Sequence, residues 1–170
     1  DGWKPARVSL AIPSLDLNPT TIFKWEPLVR FSDVIATCGG LGLSPYAPGT
    51  VGSALALPLI LVALPVGLEL QLVALLALLA IGVWASEQRG QQLQQDDASS
   101  IVIDEFVGQW LTALVAMALL PTLQGSPLFL LVAFVCFRVF DIAKPWPISW
   151  CDRSVKGGFG VMLDDLVAAV

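Results

Sequence analysis

The chain has 170 residues, enough for one domain, of which 56% are hydrophobic and 14% charged, with a formal net charge of −5. An ordinary soluble domain is roughly 25% charged, and a soluble protein this small has too little interior to bury so much apolar sequence. Lipid is the better solvent for a mean hydropathy of +0.77, and the acidic balance argues against nucleic acid as a partner.

The segment 1–33 carries Lys4, Arg7, Lys24 and Arg30, several prolines and little periodicity. It is expected to be an extended tail lying on the membrane or docking a membrane-protein partner. It opens at Asp1 without methionine, as a trimmed chain or a cleaved targeting segment would. Next comes G-G-L-G-L-S-P-Y-A-P-G-T, Gly39–Thr50. Its amides and the hydroxyls of Ser44 and Thr50 suit a phosphate, although the lysine of a P-loop is missing.

Four apolar runs follow, roughly Val51–Pro65, Leu68–Ala85, Phe106–Leu120 and Pro127–Phe140. A fifth begins near Val161 and is still running at Val170, so the last helix reads as cut short. Most are shorter than the ~20 residues of a perpendicular span. The short connections at Val66–Gly67 and Pro121–Ser126 force tight helical hairpins. The expected fold is all-α: a polytopic membrane bundle of about four to five short transmembrane helices, spanning 34–170.

Charge sets the topology. If the spans alternate, all nine basic residues fall on one side of the membrane. These are Lys4, Arg7, Lys24, Arg30, Arg89, Arg138, Lys144, Arg153 and Lys156. The positive-inside rule makes that side cytoplasmic or its organellar equivalent. The six acids after residue 100 fall on the same side: Asp104, Glu105, Asp141, Asp152 in the loop after the fourth helix, Asp164 and Asp165. A carboxylate so near hydrocarbon costs free energy and is a functional candidate by default.

Local chemistry sharpens each of these. Pro145 should end the fourth helix at about Ala143 or Lys144. Asp141 then sits at the negative end of the helix dipole, where Arg138, Lys144 or a metal would have to offset it. Asp104 and Glu105 sit near a helix start, where acids are favourable and where Ser99 or Ser100 is expected to cap. Adjacent helical residues point about 100° apart, so both face inward only if both line a polar site. Gly108, one turn on, leaves room beside Asp104. G-G-F-G, Gly157–Gly160, reads as a loop-to-helix turn leading to Asp164 and Asp165 at the start of the fifth helix. In the polar loop before Asp104, Asp97 is close enough to reach the site, whereas Asp96 lies outside these blocks.

Oxygen-only ligands suit Mg²⁺, which takes one or two carboxylates and completes its shell with water and phosphate. Arginine and lysine suit phosphate oxygens. Metal-assisted phosphoryl transfer therefore fits the inventory. Other phosphatase chemistries do not. Histidine is absent, no cysteine is followed by arginine six positions on, and no D-x-D is present. Cys38, Cys136 and Cys151 form no C-x-x-C pair and read as plain buried or lipid-facing thiols.

Four blocks resemble the phosphatidylglycerophosphatase A family. They are L-G-L-S-P-Y-A-P-G-T-V-G-S, I-V-I-D-E-F-V-G-Q-W, F-R-V-F-D-I-A-K-P-W-P-I and D-R-S-V-K-G-G-F-G-V-M-L-D-D, in family order over 34–170. The resemblance implies a Mg²⁺-dependent enzyme that converts phosphatidylglycerophosphate in the bilayer to phosphatidylglycerol and phosphate. It implies Asp104, Glu105, Asp141, Asp152, Asp164 and Asp165 as metal and catalytic acids. Among them, Asp104, Glu105, Asp141 and Asp165 are the expected catalytic set. Arg138, Lys144, Arg153 and Lys156, with Ser44 and Thr50, would hold the phosphate. A bacterial cytoplasmic membrane, or an organellar inner or thylakoid membrane, is the expected home, with the site on the basic face. The competing readings are a non-catalytic accessory subunit derived from this family and a transporter. A transporter would want charges near the bilayer midplane.

Overall fold

The computed structural model describes residues 30–95 and 97–170. Lys4, Arg7, Lys24, Asp96 and nearly all of the expected tail lie outside the described residues. Among the described residues, all regular structure is helical. In chain order the helices are α1 (Phe31–Ala36), α2 (Pro48–Ala63), α3 (Leu68–Leu93), α4 (Ile103–Leu119), α5 (Pro127–Ala143), α6 (Ile148–Ser154) and α7 (Gly157–Ala168). Single 3₁₀ turns occupy Leu41–Leu43 and Pro121–Leu123.

The five apolar runs became α2, α3, α4, α5 and α7. Of these only α3, with 26 residues, is long and apolar enough to cross a membrane. The apolar helix α2 has 16 residues, α4 and α5 have 17 each, and α7 has 12.

The two hairpins form as the short connections require. Between α2 and α3 the buried Gln71 amide donates to the Ala63 and Val66 carbonyls at 3.0 and 2.9 Å. Its oxygen accepts from Trp110 Nε1 at 3.4 Å. Carbonyls at the hairpin are thus satisfied by a side chain of the same hairpin. Between α4 and α5, Ser126 caps α5 by accepting from the Phe129 amide at 3.1 Å, with Pro127 at the first helical position.

Helix α1 runs across residue 33, because the Asp33 carboxylate accepts the Arg30 amide at 3.1 Å and closes a helical turn. Three local expectations are corrected. The last helix starts at Gly157 rather than near Val161, so Asp164 and Asp165 lie in its second half, not at its start. The segment after Pro147 is the helix α6 rather than loop. Neither Ser99 nor Ser100 caps α4: Val102 occupies the cap position and no side chain bonds there. Ser100 is engaged instead by Arg89 Nη2 at 3.5 Å.

Helix α4 is central and packs against α2, α3, α5 and α7. Val107, Ala113, Phe129 and Met162 are buried in the main core, and Phe137 in a smaller one. Gly108 makes the close approach possible. A Cβ there would strike the Phe137 ring and stand 3.2 Å from the Asp165 carbonyl. The outer faces are different. Leu70, Leu72, Val73 and Leu76 of α3, and Leu131, Val135 and Val139 of α5, are exposed.

Candidate active site

One end of the bundle holds a cavity of about 380 Å³. Its wall draws on the start of α2 (Ala47, Pro48, Gly49), the loop before α4 (Asp97, Ser99, Ile101) and the start of α4 (Asp104, Glu105). The end of α5 supplies Arg138, Asp141, Ile142 and Lys144. Asp152 of α6, the following Val155 and Lys156, and Gly157, Gly160, Val161, Asp164 and Asp165 of α7 complete it. All six expected acids therefore meet in one place, together with Arg138, Lys144 and Lys156. Asp104 and Glu105 both line the cavity, so neither helical neighbour is turned to lipid.

The six acids divide by partner. Asp141 pairs with Arg138 Nη1 at 2.5 Å, one helical turn back on α5. Lys144 Nζ contacts Asp152 Oδ1 at 2.6 Å and Asp164 Oδ2 at 2.7 Å. Lys144 ends α5 in a left-handed conformation, φ 40°, immediately before Pro145. That turn directs its ammonium at α6 and α7 rather than at Asp141. Burial alone would lower the Lys144 pKa; hydrogen bonds to Asp152 and Asp164 outweigh it and hold the group above the usual lysine range.

Among the described residues, Asp104, Glu105 and Asp165 make no such ion pair. One carboxylate oxygen from each lies within 4.8 Å of the others. Asp104 Oδ1, Glu105 Oε2 and Asp165 Oδ2 are buried and accept no hydrogen bond. Buried polar atoms are ordinarily paired, and three carboxylates brought this close repel one another. A small hard cation between them would relieve that repulsion, and an all-oxygen donor set suits Mg²⁺. Gly49 shapes the adjoining wall. A Cβ there would collide with Glu105 Oε1 and lie 3.3 Å from Arg138 Nη1. Arg138 Nη1 also donates to Ser53 Oγ at 3.4 Å, while its buried Nε has no partner.

Three of the expected phosphate contacts fall away from the cavity lining. The Ser44 hydroxyl donates to the Tyr46 carbonyl at 2.9 Å and shapes its own turn. Thr50 is half-buried in the first turn of α2, and Arg153 is exposed on α6; neither lines the cavity. Asp97 does line it, as its position predicted; Asp96 is outside the described residues. Ser53 was missed. Its partner Arg138 is 85 residues away, and no local pattern signals such a pair. Cys38, Cys136 and Cys151 are free thiols. Burial, with the Glu105 charge adding, pushes the Cys38 thiol up to about 12, so it stays protonated and inert.

Comparison with known proteins identifies the family. The model of the family described as phosphatidylglycerophosphatase A matches residues 34–170. Phosphatidylglycerophosphatase A of Escherichia coli K12 is 42% identical over 139 residues, covering 81% of this chain and 76% of that protein. The Haemophilus influenzae protein of the same name is 36% identical over 139 residues, with 81% of each chain covered. A Bacteroides thetaiotaomicron protein with the provisional name phosphatidylinositol-3-phosphatase is 37% identical over 143 residues, 81% of this chain and 86% of that one. No solved structure matches the chain. The chain belongs to the phosphatidylglycerophosphatase A family of phosphoric monoester hydrolases.

Proposed function

We propose that this enzyme is a Mg²⁺-dependent phosphatase that releases the terminal phosphate of phosphatidylglycerophosphate, leaving phosphatidylglycerol in the bilayer. The observation that carries the reading is the trio of buried, unpartnered oxygens on Asp104, Glu105 and Asp165, set beside Arg138. Asp104, Glu105 and Asp165 would hold the metal. Bound there, Mg²⁺ would supply Lewis-acid stabilisation of charge on the phosphoryl oxygens.

The chain's own residues do the rest. The N-termini of α2 and α4 both open on the cavity and present the positive ends of their dipoles to a phosphate. Arg138 lines the cavity and would offer its guanidinium to a phosphate oxygen, while Asp141 and Ser53 fix its orientation. Gly49 lets the phosphate approach the α2 backbone. Lys156, exposed at the rim, adds a second cation. Lys144 is a positioning group, tying α5, α6 and α7 together through Asp152 and Asp164. Water adds to phosphorus as the bond to the glycerol oxygen breaks. A carboxylate of the cavity takes the water's proton and returns it to the departing alkoxide.

The reading includes a membrane setting: α2, α3, α4, α5 and α7 as a polytopic bundle with the cavity on the basic, cytoplasmic-equivalent face. The exposed leucine and valine faces of α3 and α5 support it, since soluble monomers rarely expose large contiguous apolar patches. Cysteines introduced at Gln124 and Arg153, both exposed, should label with impermeant reagent from opposite sides of sealed vesicles. Labelling of both from one side would overturn the topology.

Phosphate release from phosphatidylglycerophosphate in mixed micelles tests the chemistry. Activity should vanish in EDTA and return with Mg²⁺ better than with Ca²⁺, because Mg²⁺ demands tight octahedral geometry. Full activity in chelator would eliminate the metal from the mechanism.

A further inference from the structure

Two helices of unrelated sequence change surface character at the same place. The exposed apolar face of α3 ends at Trp84, and the half-buried polar Glu87 and Gln88 follow within one turn. The exposed apolar face of α5 ends at Ile142; Lys144 follows, then Trp146. Contacts tie these two places to the mouth of the cavity. The Gly158 amide donates to Glu87 Oε2 at 2.6 Å, which sets Phe159 beside the α3 turn that carries Trp84. Lys144 holds Asp152 and Asp164, which draws α6, with Trp150, to the end of α5. Trp84, Trp146, Trp150 and Phe159 are 48%, 80%, 55% and 52% exposed. In α6, Ile148 and Cys151 are buried while Trp150 and Arg153 face outward.

Large exposed aromatics gain nothing from water. Tryptophan, with an apolar body and one N–H donor, gains most where hydrocarbon meets headgroups. We propose that Trp84, Trp146, Trp150 and Phe159 form a collar seated in the headgroup layer of a lipid bilayer, holding the acidic cavity at the depth of a lipid phosphate. The partner is the bilayer surface, and exposed Arg153 and Lys156 complement its anionic headgroups. The inference rests on the lipid-phosphate reading above and adds how substrate is presented. The phosphate enters sideways along the interface while the acyl chains stay in lipid. Depth and tilt of a membrane helix are set by such interfacial anchors, so the collar acts on access and not on the chemical step.

The full chain in phosphatidylcholine–phosphatidylglycerol vesicles provides the test. The fluorescence lost in Trp146→Phe/Trp150→Phe is the signal of those two indoles. It should be quenched by lipids brominated near the headgroup more than by lipids brominated near the chain ends, and only weakly by aqueous iodide. Strong iodide quenching without quenching by lipid would overturn the collar. The second arm is kinetic. For Trp146→Ser/Trp150→Ser, kcat/KM for long-chain phosphatidylglycerophosphate in vesicles should fall about tenfold, and that for a soluble short-chain analogue should change less than about twofold. Equal losses on both substrates would overturn the collar. If the parent protein turns over neither substrate, the phosphatase reading fails, and the quenching arm still decides the collar.

Discussion

Asp104→Asn and Asp165→Asn should each leave a folded protein that has lost nearly all turnover. Asparagine has almost the same shape as aspartate but removes the charge a hard cation needs. Losing one of three converging ligands should cost several kcal/mol of transition-state stabilisation, and each ~1.4 kcal/mol is tenfold in rate. The decisive companion is thermal unfolding in EDTA. Three carboxylates, each with an oxygen within 4.8 Å of the others, repel in the absence of a cation. Removing one charge relieves that repulsion, so both variants should unfold at or above the parent's temperature in chelator. The parent alone should gain stability when Mg²⁺ is added, because a ligand bound only to the folded state stabilises it. If the acids serve instead as structural ion-pair partners, the variants should unfold at lower temperature and keep their rate per folded molecule. Glu69→Gln is the control: Glu69 is exposed at the opposite end of α3 from the cavity. An equal loss there would mean that the assay reports general damage.

Much of this site is legible in the sequence because helices joined by short connections simplify the geometry. With alternating helices, a residue's place along the chain fixes which end of the bundle it occupies. Asp104, Glu105, Asp141, Asp152, Asp164 and Asp165 could be assigned to one end by counting runs alone, and the cavity gathers all six. Pro145 likewise placed the end of α5 correctly at Ala143. Counting gives the end but not the partner. Both Arg138 and Lys144 were candidates to offset Asp141; the left-handed turn at Lys144 sends that side chain to Asp152 and Asp164 instead. The pairing of Asp152 and Asp164 with Lys144, which leaves Asp141 to Arg138, follows from that turn, which no composition or periodicity encodes.

Helix boundaries were read less well where polar residues sit inside the fold. The last helix was expected to start near Val161, because G-G-F-G looks like a turn. Gly158 is instead helical and buried, its amide held by Glu87 and its surface pressed on the Val83 carbonyl of α3. Glycine here serves close packing, so its turn propensity misleads. The start of α1 was hidden for a similar reason. Asp33 looked like the end of a polar segment, yet its carboxylate is fully buried.

That burial leads to the second large effect. Arg89 and Asp33 are both fully buried, with Arg89 Nη1 3.6 Å from Asp33 Oδ1. The Gln92 amide, with its nitrogen assigned toward Asp33, donates to both carboxylate oxygens at 3.0 and 3.3 Å. This pair ties α1 to α3, and through Ser100 to the loop before α4. Removing one member of a buried ion pair strands the other charge and costs about 3–5 kcal/mol, whereas replacing both by apolar residues of similar volume is often neutral. Arg89→Met should therefore destabilise the protein by about that amount, and Asp33→Leu/Arg89→Met should recover most of the loss. Thermal unfolding in detergent measures both. Neither residue lines the cavity, so turnover per folded molecule should stay close to the parent's in the double variant. A double variant as unstable as Arg89→Met alone would show that packing of the arginine stem, and not the stranded Asp33 charge, sets the cost. A fully stable Arg89→Met with unaltered activity would show that α1 docks on α3 without help from the pair.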